Sequence, residues 1–325
     1  MPAVSTDALT KTYRVPVRES GLRASIRSLF HREFRDVEAV KAVDLTIEPG
    51  EIVGFLGPNG AGKTTTLKML TGLLYPSGGS ATVLGFDPSQ RDKAMLRRIA
   101  LVMGNRNNLN WDLPALDSYE LQRVIYDIPK DVYRTRVDRF IELLDLGGLV
   151  DKPVRNLSLG ERMKVEIGGA LLHHPEVLFL DEPTLGLDVT MQQRIRTFIR
   201  QHSAETGATV LLTSHYMADI VALCERVIVI HHGLIIYDGP LSRLADKFAD
   251  YKTITVTAEH LSSSLVGYGT VVASEELVAT VRVPRSEVSA VARRMLEDMD
   301  VLDIEISDPP IEDVIADVFS SGFNP

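Results

Sequence analysis

Cysteine and tryptophan are nearly missing from this sequence, which has 325 residues and one residue of each kind. With Cys224 as its sole thiol, the chain can form neither an intramolecular disulfide nor a zinc cluster built on cysteines. Cys224 follows the apolar residues Val221, Ala222 and Leu223, so we expect a small buried side chain rather than a reactive thiol. This cysteine usage is typical of a reducing cytoplasm.

Long apolar runs are also missing. No stretch approaches the roughly 18 consecutive apolar residues that a bilayer-spanning helix needs. The first residues, Met1 to Asp7, have neither the basic region nor the apolar core of a signal peptide. We therefore expect a chain that is soluble by itself, with any membrane role depending on a partner or on a helix that lies on the membrane surface.

Positive charge is in short supply. The 35 lysines and arginines face 44 acidic residues, which gives a formal net charge of −9. A large electropositive surface over the whole chain is therefore not expected, and we expect no nucleic-acid partner, although the composition leaves room for a local basic patch. The content of 45% hydrophobic and 24% charged residues is typical of a globular protein, and the length allows two domains.

Four short apolar runs have the length of buried strands in a parallel sheet. They are residues 52–56, 177–180, 209–213 and 226–230. Between the first two runs, three segments carry apolar residues at helical spacing, namely 115–126, 130–144 and 161–173. This alternation predicts an α/β domain over residues 1–248, with a helical subdomain inserted at about 105–175.

The pattern changes after about Tyr251. Alternating residues predict strands at 253–257 and 277–283, an amphipathic helix at 286–299, a strand at 301–306 and a last helix at 311–319. With a short helix at 259–266 and a strand near 270–273, the order becomes β-α-β-β-α-β, which suits a ferredoxin-like fold. We expect a small α+β domain over 249–325, with a role in regulation or in dimer support.

A glycine-rich segment follows the first apolar run. Residues 57–64 read Gly-Pro-Asn-Gly-Ala-Gly-Lys-Thr and fit the G-x-x-x-x-G-K-[ST] pattern between a strand and a helix. Glycines allow successive main-chain N–H groups to face a phosphate, and a helix N-terminus adds partial positive charge. The pattern predicts a phosphate site in which Lys63 contacts the β- and γ-phosphates and the Thr64 hydroxyl binds Mg²⁺.

An acidic pair ends the second apolar run. Asp181 and Glu182 follow Leu180, and an acidic pair at a strand end is often only a solvated edge. In a protein that also has a phosphate loop, an acidic pair of this kind has a functional role, because one carboxylate can hold Mg²⁺ and the other can orient the attacking water. We assign Asp181 to the metal and Glu182 to the general base.

Three further segments separate this chain from other phosphate-loop proteins. Residues 157–161, Leu-Ser-Leu-Gly-Glu, resemble the signature motif of the ABC transporter ATPases. Residues 185–188, Leu-Gly-Leu-Asp, resemble the D-loop of that family, and 213–215, Thr-Ser-His, resemble its switch-histidine segment. These motifs stand in the family's order, and the resemblance covers residues from about 8 to 248.

The resemblance implies an ATP- and Mg²⁺-dependent ATPase subunit that works on a separate membrane-spanning subunit, at the cytoplasmic face of the membrane. It also implies a head-to-tail dimer with a second copy or a paralogue, in which each ATP lies between one phosphate loop and the partner's signature. His215 would contact the γ-phosphate and the attacking water, and Tyr13 resembles the aromatic residue that stacks on adenine. In isolation, a histidine such as His215 is more often an ordinary core or turn residue, and a strand-packing role for Tyr13 is nearly as well supported as stacking.

These assignments define the candidate site. The predicted catalytic residues are Glu182, His215 and Lys63, and the predicted metal ligands are Thr64, Asp181 and Asn105. The predicted nucleotide-binding residues are Tyr13, Gly57, Pro58, Asn59, Gly60, Ala61, Gly62, Lys63, Thr64, Thr65, Asn105, Leu157, Ser158, Leu159, Gly160 and Glu161.

The sequence departs from the family's pattern at two places. Asn105 stands where the family usually has glutamine, and it is shorter by one methylene, so its contact with Mg²⁺ or water can become water-mediated. Leu159 and Glu161 replace glycine and glutamine in the signature. Glu161 favours the helix dipole but not a nearby phosphate.

Within the family, the chain most resembles ATP-binding subunits of bacterial two-component exporters, which often have a C-terminal extension. The region from Asn105 onward would then receive helices of the membrane partner. Two alternatives stay open: a soluble ABC ATPase of translation or DNA maintenance, and a nucleotide-binding regulator without useful turnover. The first usually carries two nucleotide-binding domains or a long coiled coil, which this sequence lacks. Lys63, Asp181, Glu182 and His215 argue against the second.

Residues 14–36 are longer than a simple hairpin requires. They contain six arginines and three acidic residues, and Leu22, Ile26, Leu29, Phe30 and Phe34 recur at helical spacing. This predicts a basic amphipathic helix that contacts lipid headgroups or the membrane partner. A helix packed on its own domain is the equally supported alternative.

Overall fold

The computed structural model describes residues 1–16, 34–104, 108–214, 216–261 and 265–320. The chain divides into two compact units, Met1–Asp238 and Gly239–Pro325. The domain boundary inferred from the sequence at residues 248 and 249 stays a prediction.

Two sheets form the first unit. Its described strands are β1 (Val4–Pro16), β2 (Phe34–Ile47), β3 (Ile52–Leu56), β4 (Gly78–Val83), β5 (Ile99–Met103), β6 (Val177–Asp181), β7 (Thr209–Thr213), β8 (Arg226–His231) and β9 (Leu234–Pro240), of which the last two residues fall within the second unit. A three-stranded antiparallel sheet has the order β2-β1-β4. A six-stranded sheet has the order β5-β6-β7-β3-β8-β9, and its first five strands run parallel. The predicted α/β class and the four predicted central strands are therefore confirmed.

Helices connect the parallel strands. Those described in the first unit are α1 (Lys63–Leu70), α2 (Lys93–Leu96), α3 (Ala115–Ile125), α4 (Lys130–Leu144), α5 (Leu159–Leu171), α6 (Val189–Thr206) and α7 (Met217–Leu223). Several of these helices begin at a capping polar residue or end at a glycine. Asp188 caps α6 by accepting a 2.9 Å hydrogen bond from the Met191 N–H, and Gly207 ends that helix with φ of 69°.

The inside of the first unit is apolar. Phe55, Phe179, Leu211 and Ile228 come from four parallel strands, and all are fully buried. Each such side chain contributes about 2 kcal/mol through its removal from water. This core holds the parallel strands in place. The candidate site lies at their carboxyl ends.

The helical subdomain consists of α3, α4 and α5, between β5 and β6 in the chain. Tyr119 of α3 is fully buried, and its hydroxyl donates a 2.7 Å hydrogen bond to the Val165 carbonyl of α5. A Cβ at Gly168 would lie 2.9 Å from the Tyr119 hydroxyl oxygen, and one at Gly169 would lie 3.0 Å from the tyrosine ring. The glycine pair therefore allows α5 to pack closely against α3.

The second unit has one four-stranded sheet. Its described elements are α8 (Leu244–Phe248), β10 (Tyr251–Ala258), β11 (Thr270–Ser274), β12 (Val278–Pro284), α9 (Val288–Asp298), β13 (Val301–Ser307) and α10 (Ile311–Ser320). The order β11-β12-β10-β13 is antiparallel throughout, as the ferredoxin-like arrangement requires. Val291 and Met295 of α9 pack on Ile254 and Val281 of this sheet. The helix predicted at 259–266 appears as a short 3₁₀ helix, Leu265–Tyr268, and residues 262–264 lie outside the described part.

The basic segment at 14–36 departs from its prediction at both ends. Arg14 lies on β1, and Phe34, Arg35 and Asp36 lie on β2, where Arg14 pairs with Asp36 in an antiparallel ladder. The helical assignment is wrong for these residues, because an extended hairpin continues through them. Residues 17–33 lie outside the described part of the chain. None of the described helices is long and apolar enough to cross a membrane.

Candidate nucleotide-binding site

The carboxyl ends of the parallel strands bring the candidate residues together. In the sheet register, Phe55 of β3 lies beside Thr213 of β7, which lies beside Asp181 of β6. Asp181 in turn lies beside Met103 of β5. Segments that follow these strands therefore meet at one edge, which is where open α/β sheets bind ligands.

The glycine-rich loop joins β3 to α1. Gly60 and Gly62 have φ of 81° and 111°, in the left-handed region that favours glycine. A Cβ at Gly57 would lie 2.4 Å from the Ile230 carbonyl oxygen, and one at Gly62 would lie 2.5 Å from the Ala39 carbonyl oxygen. Larger residues are thus excluded at Gly57 and Gly62, and the main chain has the turn that a phosphate cradle needs.

Lys63 is the first residue of α1, and Thr64 and Thr65 follow it in the first turn. The Lys63 ammonium is buried and donates hydrogen bonds to the carbonyl oxygens of Gly57 and Pro58, across the loop. Burial lowers the pKa of Lys63, although the carboxylates of Glu182 and Asp181 oppose this shift. The cation is therefore held inside the loop between its own carbonyls and the acidic pair.

Two hydroxyls hold the Asp181 carboxylate. Thr64 donates to its two oxygens at 3.0 and 2.9 Å, and Thr213 donates to one of them at 2.8 Å. Asp181 is buried, with 8% of its surface exposed. The hydrogen bonds from Thr64 to Asp181 join the phosphate loop to the end of β6, where the sequence predicts a metal site.

Glu182 has an unusual backbone. Its φ of 54° lies in the left-handed region, which is rare for a residue with a side chain. Its N–H is held by the Thr213 hydroxyl and carbonyl, both at 3.1 Å, and a Cβ at Gly104 would lie 2.6 Å from its carbonyl oxygen. Strained conformations of this kind persist where the surroundings fix them, and they cluster at functional sites.

The donor set at this edge fits a magnesium ion. The Thr64 hydroxyl and the Asp181 carboxylate are hard oxygen ligands that already lie within hydrogen-bond distance of each other. Mg²⁺ typically uses one or two protein oxygens together with substrate phosphates and water. Among the described residues, no cluster of three or more histidine, cysteine or acidic side chains competes as a metal site.

The signature segment begins α5. Ser158 is the N-cap: its hydroxyl accepts a 3.3 Å hydrogen bond from the Glu161 N–H, and the Glu161 carboxylate accepts a 2.8 Å bond from the Ser158 N–H. This capping box lowers the pKa of Glu161 through its hydrogen bonds with Ser158. Glu161, which replaces the family's glutamine, is thus occupied by its own helix start. Leu157 is buried and anchors the segment.

Close packing fixes the relation between the signature and the D-loop. A Cβ at Gly160 would lie 2.0 Å from the Met191 sulfur, and one at Gly186 would lie 2.9 Å from the Leu159 side chain. The first turn of α5 therefore lies against the segment that leads into α6. Leu159 and Leu185 are nevertheless 39% and 42% exposed.

A buried network beside the switch segment was not predicted from the sequence. Asp219 of α7 is fully buried and accepts hydrogen bonds from the hydroxyls of Thr184 and Ser214, the latter at 2.6 Å. Arg196 of α6 donates to the same carboxylate at 2.6 Å. The network connects the turn after Glu182 with the residue before the switch position. The one sequence signal for this network is Asp219 itself, an acidic residue four positions after His215.

A second unpredicted carboxylate anchors the segment after β5. Glu166 of α5 is 2% exposed and accepts main-chain hydrogen bonds from Asn108 at 2.8 Å and from Leu109 at 3.3 Å. Burial raises the pKa of Glu166, and these two bonds oppose that shift. The signature helix is therefore bonded to the chain just beyond the predicted metal contact.

Two predicted residues, Asn105 and His215, lie outside the described residues. Tyr13 lies on β1, where it pairs with Val37 and is 37% exposed, and the Lys11 ammonium lies 5.5 Å from the centre of its ring. The antiparallel hairpin thus leaves an accessible aromatic face at Tyr13.

The fold and the geometry of the loop define a P-loop nucleotide-binding protein. Comparison with protein families narrows this class. A family of ABC transporters matches residues 40–185, and the C-terminal domain of EvrA-like ABC transporters matches residues 250–307.

Known proteins agree with this assignment. The ABC transporter ATP-binding protein NatA of Bacillus subtilis is 39% identical over 217 residues, which are 66% of this chain and 88% of NatA. Nod factor export ATP-binding protein I of Cupriavidus pinatubonensis is 32% identical over 250 residues, which are 77% of this chain and 76% of that protein. Among solved structures, the dimeric post-hydrolysis cassette MJ0796 bound to ADP and Pi has a TM-score of 0.61 at 25% identity, over 73% of this chain and 98% of that one. The chain belongs to the ABC transporter family as an ATP-binding subunit.

Proposed function

We propose that this subunit hydrolyses ATP with Mg²⁺ and drives export through a separate membrane-spanning subunit at the cytoplasmic face of the membrane. The observation that carries the proposal is the meeting of Lys63 and Thr64 with Asp181 and Glu182 at one edge of the sheet. Relatives that act in Nod factor export and in daunorubicin resistance support the direction of transport.

Each group at this edge has a role that its position supports. Lys63, held beneath the loop, would move its ammonium from the carbonyls of Gly57 and Pro58 to the phosphates. Asp181 and Thr64 would hold Mg²⁺, which when bound neutralises charge on the phosphates. Glu182 would accept a proton from the attacking water or orient it, with its main chain fixed by Thr213.

A second subunit would complete the site. The N-terminus of α5 carries partial positive charge, which favours a phosphate of a nucleotide held by a partner. Around it, the exposed apolar side chains of Leu159, Leu185 and Val189 offer a surface for such a partner. The partner would be a second copy or a paralogue, and the solved MJ0796 cassette is dimeric.

The membrane partner would dock in a groove of the first unit. This groove has a volume of about 630 Å³ and lies between β5 and the helices α3 and α5. Leu121 and Ile125 line it and are each 55% exposed, and Leu73 lines it at 54% exposed. An apolar groove beside the segment anchored by Glu166 suits an amphipathic helix of the transporter subunit.

The second unit carries no predicted phosphate contact. We propose that residues 249–325 form a domain that regulates the ATPase or supports its dimer. Truncation after Phe248 should retain nucleotide binding while it changes the stability of the ATP-bound dimer. Complete loss of ATP binding in a folded truncated chain would contradict this role.

Turnover and transport test the proposal together. The purified chain should release phosphate from ATP in the presence of Mg²⁺ and lose this activity when EDTA removes the metal. Vesicles that contain the captured membrane partner should then move cargo only with ATP and the wild-type subunit. A chain that binds ATP but shows no turnover, alone or with its partner, would instead be a nucleotide-dependent regulator.

A further inference from the structure

A second cavity lies at the opposite edge of the parallel sheet from the phosphate loop. Its volume is about 910 Å³, and its lining includes Arg98, Glu176 and Thr209, at the amino ends of β5, β6 and β7. Helices α4 and α6 form its other wall. Its described lining residues include none of those that line the groove beside α3, so the two cavities are separate.

One wall of this cavity is aromatic. The rings of Phe140 and Phe198 meet edge to face with centroids 5.3 Å apart, and the His202 ring stacks on Phe198 at 6.0 Å. His202 is 5% exposed, and its Nε2 is buried without a hydrogen-bond partner among the described residues. A buried polar atom left without a partner costs about 1–3 kcal/mol.

Of the charged lining side chains on the helices and strand ends, Asp131 and Arg136 have no ion-pair partner among the described residues, and the others are paired. Arg98 bonds to Glu176 at 2.6 and 2.7 Å, and Arg139 bonds to Glu205. Arg136 of α4 donates to the Leu172 carbonyl at 2.6 Å and has no carboxylate partner among the residues that the structure describes. Its guanidinium, with five N–H donors, therefore has donors left for an anion.

Burial lowers the pKa of both neighbouring imidazoles, His202 and His174. For His202 the pKa falls to about 4, and the nearby His174 and Arg136 act in the same direction as burial. The ring of His174, whose φ of 53° is left-handed, lies 5.4 Å from that of His202. An anion in the cavity would therefore find its countercharge at Arg136.

From these observations we propose that the cavity binds a small amphipathic organic anion. Its carboxylate or sulfonate contacts Arg136, and its flat apolar body lies against Phe140, Phe198 and His202. The site is independent of the phosphate loop, since the two lie at opposite edges of the sheet.

The test uses 8-anilinonaphthalene-1-sulfonate, an aromatic sulfonate, titrated calorimetrically into the full chain. Arg136→Gln should weaken its binding about tenfold, the effect of one charge-assisted contact. Arg134→Gln is the matched control, because Arg134 is an exposed residue of the same helix that does not line the cavity. His202→Phe should keep the aromatic wall and weaken binding less than Arg136→Gln does.

Histidine-ring NMR locates the bound probe. Its addition should shift the His202 resonance, identified by its loss in His202→Phe. Arg136→Lys, which keeps the charge, should retain part of the affinity, and it serves as the second variant if Arg136→Gln unfolds. Equal affinities of the Arg136 and Arg134 variants would overturn the proposal. So would a loss of binding in Lys63→Met alone, because the sulfonate would then occupy the phosphate loop.

Discussion

The two ends of the parallel sheet differ in how their charged side chains are arranged. At the carboxyl end, the buried Asp181 carboxylate is held by hydroxyls of Thr64 and Thr213, with Lys63 nearby. At the amino end, Arg98 is bonded to Glu176, and burial lowers the pKa of His202 to about 4. The carboxyl end keeps its charged groups together where a polar ligand can contact them, and the amino end pairs Arg98 and Arg139 with carboxylates. Activity should therefore respond to changes at the first end, and acid stability to changes at the second.

The largest expected effect is that of Glu182→Gln at the carboxyl end. The substitution keeps the shape of the side chain and removes the proposed base, so ATP turnover should fall by about 10²–10⁴-fold. ATP binding should survive, and an ATP-bound dimer should accumulate because opening would depend on loss of the γ-phosphate. Phosphate release and size-exclusion chromatography with Mg-ATP measure the two effects. Turnover at the wild-type rate would rule out Glu182 as the base.

Two buried aspartates provide the next comparison. Asp219→Asn should destabilise the fold by about 3 kcal/mol, because it leaves the Arg196 guanidinium, only 13% exposed, without its countercharge. Asp181→Asn removes a carboxylate that hydroxyls hold, so it should abolish Mg²⁺-dependent turnover with a much smaller change in stability. Urea unfolding and phosphate release separate these outcomes. Similar losses of stability in both variants would remove the distinction between a structural and a functional carboxylate.

Most of the candidate site at the carboxyl ends of the strands could be predicted from the sequence, because phosphate binding requires particular residues at fixed spacing. Gly57 and Gly62 are required by close main-chain contacts, and Lys63 and Thr64 follow them directly. The central strands were predictable for a related reason, since a doubly covered parallel sheet needs continuous apolar runs. Requirements of this kind involve residues close together in the chain, so a single sequence is enough to reveal them.

Long-range requirements leave no such pattern. Asp219 and Arg196 are 23 residues apart, and their bond depends on how α6 and α7 pack. His202 and Arg136 are brought to one cavity by packing of α4 and α6, and neither belongs to a motif. The helix predicted through Phe34 was wrong because spacing alone cannot reveal that β1 and β2 continue as paired strands. The structure was needed wherever tertiary contacts determine a residue's role.

The amino end should control stability in acid. Because the pKa of His202 is lowered in the folded protein from 6.5 to about 4, the unfolded chain binds more protons between these values. The stabilising effect is therefore complete above about pH 6.5 and is lost as the pH falls toward 4, by up to about 3 kcal/mol. His202→Phe should flatten the dependence of the unfolding free energy on pH in this window. An unchanged slope would mean that His202 does not titrate there.

The smallest expected effect concerns the cap of the signature helix. Ser158→Ala removes the hydroxyl that accepts the Glu161 N–H, so the free energy of unfolding should fall by about 1 kcal/mol. Asp92→Ala removes the cap of α2, where the carboxylate accepts the Ala94 N–H at 2.7 Å, and should have an effect of similar size. If Ser158 also faces a partner's nucleotide, only Ser158→Ala will weaken ATP-dependent dimer formation. Urea unfolding compares the caps, and analytical ultracentrifugation of each variant in the Glu182→Gln background compares the dimers. If the Ser158→Ala and Asp92→Ala variants dimerise equally, the role of Ser158 is limited to capping. The proposed contact between the N-terminus of α5 and a partner's nucleotide would then be wrong.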